Sequence, residues 1–325
     1  DSIEDNEEIL LKLDKFLFEL SKFNSLEDGE LENMSAIKDV DELINNSYNV
    51  IVADNLSTGR MENINNSAIF YNIDIKDKTR LETLFINNKI KYIIHLAAQA
   101  SVGYSMKYPI CDANENIISS LNLIELAKKY NIKKLIVSST AAVYGEPQYL
   151  PIDENHNANP SSYYGLSKLT MEKYIELSNI DYIIFRFSNV YGPRQIPEGE
   201  AGVVSIFMDY FINNNEINIF GDGNQTRDFI YVKDIAKILF LCIKNDNMTK
   251  EIINISSNVS ISINELYEKL KHITKKDLKV NYLEERKGDI KHSLLNNSKL
   301  LNYIDIKLTN INAGLEKTIK EIKCR

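Results

Sequence analysis

Tyr92-Ile93-Ile94-His95-Leu96-Ala97-Ala98-Gln99 is an almost unbroken apolar run that closes on a polar residue. A short run without polar alternation marks a strand covered on both faces. The same texture recurs on either side. Tyr48 to Ala53 ends in Asp54, Ala68 to Ile73 ends in Asp74, Leu135 to Ser139 leads to Thr140, and Tyr182 to Phe187 leads to Ser188. Between these runs, Lys78 to Asn87, Ile117 to Tyr130 and the stretch from Tyr164 to Ser178 have helical spacing. Short apolar strands alternating with helices predict an α/β fold, a doubly wound parallel sheet with helices on both faces. Ligands of such sheets bind beyond the carboxyl ends of the strands. Asp54, Asp74, Ala97 to Gln99, Thr140 and Ser188 stand at those ends and are expected to converge on one crevice.

One helix carries a reactive pair. In Tyr164-Gly165-Leu166-Ser167-Lys168 the tyrosine and lysine are four residues apart and share a helical face. A free phenol ionises near pH 10. An ammonium one turn away favours the phenolate, so the pair can move a proton on a sugar or alcohol hydroxyl near neutral pH. A packed tyrosine beside a surface lysine is the plainer reading of the same spacing. Thr140 lies in Ser138-Ser139-Thr140-Ala141-Ala142-Val143-Tyr144-Gly145, where its hydroxyl can bond the oxygen that Tyr164 deprotonates. Asp54, at the end of the second strand of a dinucleotide fold, would accept from ribose hydroxyls and repel a 2′-phosphate, which favours NAD over NADP. A plain loop cap is the alternative there.

Composition narrows the class. The chain has 325 residues, 44% of them hydrophobic, and a net charge of -8. That is enough for one large or two medium domains, without the basic footprint of a nucleic-acid binder. Cys111, Cys242 and Cys324 are few and scattered, which suits a reducing compartment. His95, His156, His272 and His292 lack metal spacing, so no metal is expected. No run approaches the ~20 apolar residues of a membrane span. A cytoplasmic protein with no membrane and no nucleic-acid partner is the expectation.

The ends of the chain read differently. Ile9, Leu10, Leu13, Phe16, Leu17, Leu20 and Phe23 fall at helical spacing, and a second helical stretch runs through Val40, Leu43 and Ile44. Residues 1–46 are therefore expected to be an atypical helical segment. From about 189 the pattern becomes mixed: Asn189 to Arg194 as a loop, a helix over Val203 to Phe211, a strand over Ile217 to Phe220, polar Gly221 to Asp228, then Phe229 to Val232 as a strand. Arg194, Arg227 and Arg286 are placed in loops, where guanidinium forks suit a diphosphate. Residues 47–188 are expected to bind the dinucleotide and 189–325 mainly the substrate.

These motifs resemble one family, the extended short-chain dehydrogenase/reductases, and within it the NAD-dependent nucleotide-sugar epimerases and dehydratases. The resemblance rests on Asp54-Asn55-Leu56-Ser57-Thr58-Gly59, His95 to Gln99, Ser138 to Gly145, Tyr164 to Lys168, Asn189 to Arg194 and Gly221 to Val232. It implies a Rossmann-like sheet with a smaller mixed α/β substrate-binding region. Asp54, Asn55, Asp74, Ile75, Ala97, Ala98, Gln99, Asn116, Tyr164, Lys168 and Ser188 would line an NAD site. Asn189, Val204, Arg227 and Arg286 would hold the uridine diphosphate, with Thr140, Tyr164 and Lys168 catalytic. The implied activity is epimerisation at C4 of a UDP-hexose or UDP-N-acetylhexosamine, in a homodimer formed through the helices Ile117 to Tyr130 and Met171 to Ser178. Dehydratases of the family carry an Asp-Glu pair where this chain has Ala141 and Ala142, and Ser293 stands where epimerases limit the size of the sugar.

One departure is plain. The family opens with an apolar strand and a Gly-x-x-Gly-x-x-Gly turn, due near residues 30 to 36, where this chain reads Glu30-Leu31-Glu32-Asn33-Met34-Ser35-Ala36. Glycines there allow close approach to the pyrophosphate, and Glu30 and Glu32 put negative charge beside it. The rival expectations are a nucleotide-sugar-binding homologue with impaired catalysis and a dehydratase or reductase on the same substrates.

Overall fold

Seven of the strands join one parallel sheet. In the structure, a computed structural model, residues 8–12, 30–57, 59–195, 202–285 and 290–323 are described, with backbone alone for 8–12, 30–37 and 323. The first half of the chain runs β1 (Glu8–Lys12), α1 (Glu30–Asn45), β2 (Asn49–Asp54), β3 (Ile69–Asn72), α2 (Lys78–Asn87) and β4 (Ile90–His95). It continues through α3 (Val102–Lys107), α4 (Pro109–Ala113), a π turn (Asn114–Ile118), α5 (Ser119–Lys129), β5 (Lys134–Thr140), α6 (Tyr163–Glu176) and β6 (Tyr182–Phe187).

The second half runs β7 (Asn189–Tyr191), α7 (Val203–Asn213), β8 (Ile217–Phe220), β9 (Thr226–Tyr231), α8 (Val232–Lys244) and β10 (Glu251–Ile255). After these come β11 (Ser260–Ser262), α9 (Ile263–Thr274), β12 (Val280–Leu283), α10 (Ser298–Tyr303) and α11 (Ile311–Lys323).

The sheet order is β3-β2-β1-β4-β5-β6-β10, with every pair parallel. Successive strand residues point to opposite faces, and here both faces are covered. Val52, Ile94, Ile136 and Phe185 pack with Val40 and Leu43 of α1 and Ile235 and Leu239 of α8. Ile51, Ile93, Leu135 and Ile184 pack with Leu84, Ile124 and Met171 of α2, α5 and α6. That double burial is why the strands show no polar alternation. Strand order reverses between β1 and β4, and such a switch point opens a crevice at the carboxyl ends.

The smaller region is mixed, as expected. β7, β9 and β11 form a three-stranded sheet and β8 pairs with β12. They enclose a separate core containing Phe207, Phe211, Tyr231, Leu266 and Leu315. β10 returns from this half to the edge of the main sheet, so the 189–325 segment serves both regions.

Three expectations need correction. Arg227, read as a loop residue, lies in β9 and pairs there with Ile261 of β11. The helical spacing read over Ile9 to Phe23 fails at its start, because Glu8–Lys12 is a strand inserted between β2 and β4. A run as short as Ile9-Leu10-Leu11 does not distinguish helix from strand by period; the pairing slot decides. Phe16 to Phe23 lie outside the described residues. Asn189 to Arg194, read as a loop, contains β7, which pairs in parallel with β9.

Candidate active site

The site is built around the first turns of α6. Ser162 caps the helix, its Oγ accepting from Gly165 N at 3.1 Å. Gly165 is required by close approach: a Cβ there would stand 2.5 Å from the carbonyl oxygen of Ala142. The helix can therefore lie directly against the 3-10 turn Ala141–Val143 that follows Thr140. Tyr164, Lys168 and Glu172 follow one another at four-residue spacing along the inner face, and all three are buried.

Glu172 fastens this helix to the sheet. It takes a bidentate ion pair from Arg186 of β6, at 3.0 Å from Nε and 2.6 Å from Nη2, and it accepts from Ser139 Oγ. Arg186 also lies 4.7 Å above the Tyr144 ring. Fork geometry of this kind fixes orientation as well as energy. The neighbouring Thr140 is thereby held at the end of β5, with its Oγ1 accepting from Ala142 N at 3.1 Å. A hydroxyl that accepts there still has its O–H to donate. Lys168 Nζ is 3.5 Å from Ser138 Oγ.

A second network joins α6 to the loop after β4. Asn116, in the π turn, accepts from Gln99 N at 2.8 Å and donates to Gln99 O at 2.9 Å, clasping that residue's backbone from both sides. The same amide donates to Ser167 Oγ at 2.9 Å, and Ser167 donates to Tyr164 O at 3.0 Å. Asp112 Oδ1 accepts from Gln99 Nε2 at 2.8 Å and from Asn116 Nδ2 at 3.1 Å. Burial pushes the Asp112 carboxyl up to about 6 against the opposing pull of Ser167, Lys168 and Gln99.

Across the switch point stand the other strand-end residues. Asp54 is buried at the end of β2 and accepts from Leu56 N at 2.5 Å. A Cβ at residue 59 would lie 2.8 Å from Asp54 Oδ2, so glycine there lets the loop pack against that carboxylate. Asn55 Nδ2 reaches Asp74 Oδ2 at 3.3 Å, and Ile75, Ala97 and Ala98 are buried around them.

The substrate-side residues separate into groups. Ser188 and Asn189 span the junction of β6 and β7, and Ser188 donates to Asp228 at 3.4 Å. Asp228 also accepts from Ser257 N, Ser257 Oγ and Asn258 N at 2.9, 2.8 and 3.1 Å, joining that junction to the loop after β10. Val204 belongs to the core of the smaller region. Arg227 Nη1 donates to Thr226 O at 2.9 Å. Arg286 lies outside the described residues. Arg194, expected among the phosphate-facing arginines, instead pairs with Asp41 of α1 at 3.3 Å.

Residues 39–256 match the model of the NAD dependent epimerase/dehydratase family. The chain belongs to this family. A candidate UDP-glucose 4-epimerase of Methanocaldococcus jannaschii is 49% identical over 238 residues, covering 72% of this chain and 77% of that protein. UDP-glucose 4-epimerase of Thermotoga maritima, solved with UDP-glucose, superposes with a TM-score of 0.88 at 36% identity, over 98% of this chain and 99% of that one. UDP-N-acetylglucosamine 4-epimerase of Methanobrevibacter ruminantium, solved with UDP-N-acetylmuramic acid, gives 0.85 at 35% identity over 99% of each.

The family's cofactor fits the described crevice. Asp54 sets a carboxylate at the end of β2, a group suited to accept from ribose hydroxyls, and Lys168 and Tyr164 stand across the switch point from it. Glu30 to Ala36, where the family's turn is expected, belong to α1; the connection from β1 to α1 spans residues 13–29 instead, holds Gly29 as its one glycine and lies outside the described residues. Sequence reading missed Gly165, Glu172, Arg186 and Asp112. Glycine at the second position of a Tyr-x3-Lys helix was the available signal for the first. The partners of the others become visible only once the strands are paired.

Proposed function

We propose that this family member interconverts UDP-sugars epimeric at C4, with NAD bound along Asp54, Asn55, Asp74, Ile75, Ala97, Ala98, Gln99, Asn116, Lys168 and Ser188. One observation carries the reading: Tyr164 and Lys168 are buried on one face of α6, pressed by Gly165 against the turn that holds Thr140. When bound, NAD supplies the reversible oxidation of C4. Tyr164 takes the proton of the sugar 4-hydroxyl and later returns it. Lys168 favours the phenolate by its charge. Thr140 donates to the 4-oxygen as it gains carbonyl character. The 4-keto sugar must present its other face before reduction. Asn189, Val204, Arg227 and Arg286 are assigned to the nucleotide diphosphate.

Ala141 and Ala142 have no proton to give, which favours epimerisation over dehydration. Ser293 is a small residue whose N–H donates to Thr226 O at 3.1 Å, beside Arg227, and leaves room for an N-acetyl group. Tyr164→Phe removes the acid–base group. It should lower kcat by at least about 100-fold and leave the calorimetric affinity for UDP-glucose within about threefold; a variant with wild-type kcat contradicts the assignment. Assay of UDP-glucose and UDP-N-acetylglucosamine with added NAD identifies the sugar.

One observation favours a second reading, a nucleotide-sugar-binding homologue: the segment that would meet the pyrophosphate has a single glycine. NAD released by acid from purified protein, or its absence, separates the two. We also assign a homodimer to the outer faces of α5 and α6. Ile118 just before α5, Leu166 and Tyr174 on α6 and Leu177 at its end are exposed, and apolar patches of this kind mark interaction sites. Light scattering should give twice the chain mass; a monomer contradicts it. No described helix is long and apolar enough to cross a membrane.

A further inference from the structure

We infer that Asp112 is a positioning residue of the reaction, which sets the loop after β4 against the reactive turn of α6 through the two amides that its Oδ1 holds. The carboxylate is buried and touches neither Tyr164 nor Lys168 among the hydrogen bonds described above. Its reach to Tyr164 is indirect, through Ser167, with which it also hydrogen-bonds, and through two amides. Gln99 Nε2 and Asn116 Nδ2 both converge on Oδ1, at 2.8 and 3.1 Å. Asn116 takes Gln99 N on its oxygen, and the two hydrogens of its nitrogen are shared among Asp112 Oδ1, Gln99 O and Ser167 Oγ. Ser167 in turn donates to the carbonyl of Tyr164.

Without this acceptor the Gln99 and Asn116 amides lose the fixed point they share, and each is held less firmly. The clasp on Gln99 and the link to Ser167 would loosen. Hydrogen bonds to a carboxylate are stronger than those between neutral groups, which suits an anchor on which the other contacts depend. Misplacement of reacting groups by about 1 Å costs rate on the order of 100-fold, so an effect on turnover is expected without any loss of sugar contacts. Lys168 of α6 acts on Asp112 directly. Tyr104 of α3 interacts with Cys111 of α4 and with Tyr108 and Glu115, and Glu115 is paired with Lys76.

This inference rests on the proposed function, and one of its readings does not depend on turnover. Amide hydrogen exchange is followed at Gln99 N in the protein alone, and kcat and KM for the UDP-sugar are measured with NAD added. Asp112→Ala should lower protection of Gln99 N at least tenfold and kcat at least tenfold, with KM changed less than threefold. Asp112→Asn keeps an acceptor at Oδ1 and should restore both protection and kcat to within threefold of wild type. Should the alanine variant not fold, Asp112→Leu fills the space without an acceptor and is judged by the same two readings. Wild-type protection of Gln99 N in a folded Ala or Leu variant overturns the inference even in a chain that turns over no sugar. So does an Asn variant as impaired as Ala. Loss of KM alone would make Asp112 a substrate-side residue and likewise overturn it.

Discussion

The buried carboxylate of Asp112 contributes to function at a cost in stability. Unfolded, it ionises near its ordinary 3.8; folded, it keeps its proton to about 6. Between those values the folded state holds the extra proton, so this contribution to stability is present below about 3.8 and is lost as pH rises through about 6. The full window is worth about 3 kcal/mol and the part between pH 5 and 7.5 about 1 kcal/mol. Urea unfolding of wild type and Asp112→Asn at those two pH values should show the variant gaining about 1 kcal/mol relative to wild type at the higher pH; a constant difference contradicts this. Tyr164, Lys168 and Thr140 could be proposed from the sequence because their spacing along one helix and at one strand end is itself the signal. Asp112 could not, since its donors Gln99 and Asn116 come from a loop and a π turn that the fold brings beside it.

At the level of the element, α6 is positioned by contacts that no helical period shows. Glu172 is an ordinary helix residue in sequence, yet it is the buried partner of Arg186 and Ser139. Gly165 gives the helix its depth. Alanine there would favour a helix by about 1 kcal/mol, but its Cβ would stand 2.5 Å from Ala142 O, and the helix or the turn after Thr140 must shift. Gly165→Ala should therefore lower kcat about 100-fold while the melting temperature moves by no more than a few degrees; unchanged kcat contradicts the role of close packing. β1 was misread for the opposite reason. Its apolar run is too short to carry a period, and only the place between β2 and β4 makes it a strand.

Over the whole molecule, a parallel sheet and a crevice at its carboxyl edge followed from apolar runs and their polar ends. The return of β10 to the main sheet did not, because strand order across a long insertion depends on which edge is open. The pairing of Arg194 with Asp41 was equally hidden: a loop arginine carries no mark of its partner. The central claim is that the parts assembled at this crevice oxidise and re-reduce C4 within one site. It is tested most directly by incubating the protein with NAD and UDP-glucose deuterated at C4, and following the products by NMR. The account predicts UDP-galactose that retains deuterium at C4, and the same test with Tyr164→Phe should leave the substrate unchanged. Epimerised product with hydrogen from solvent at C4, or no epimerised product from NAD-loaded wild-type protein, would contradict it.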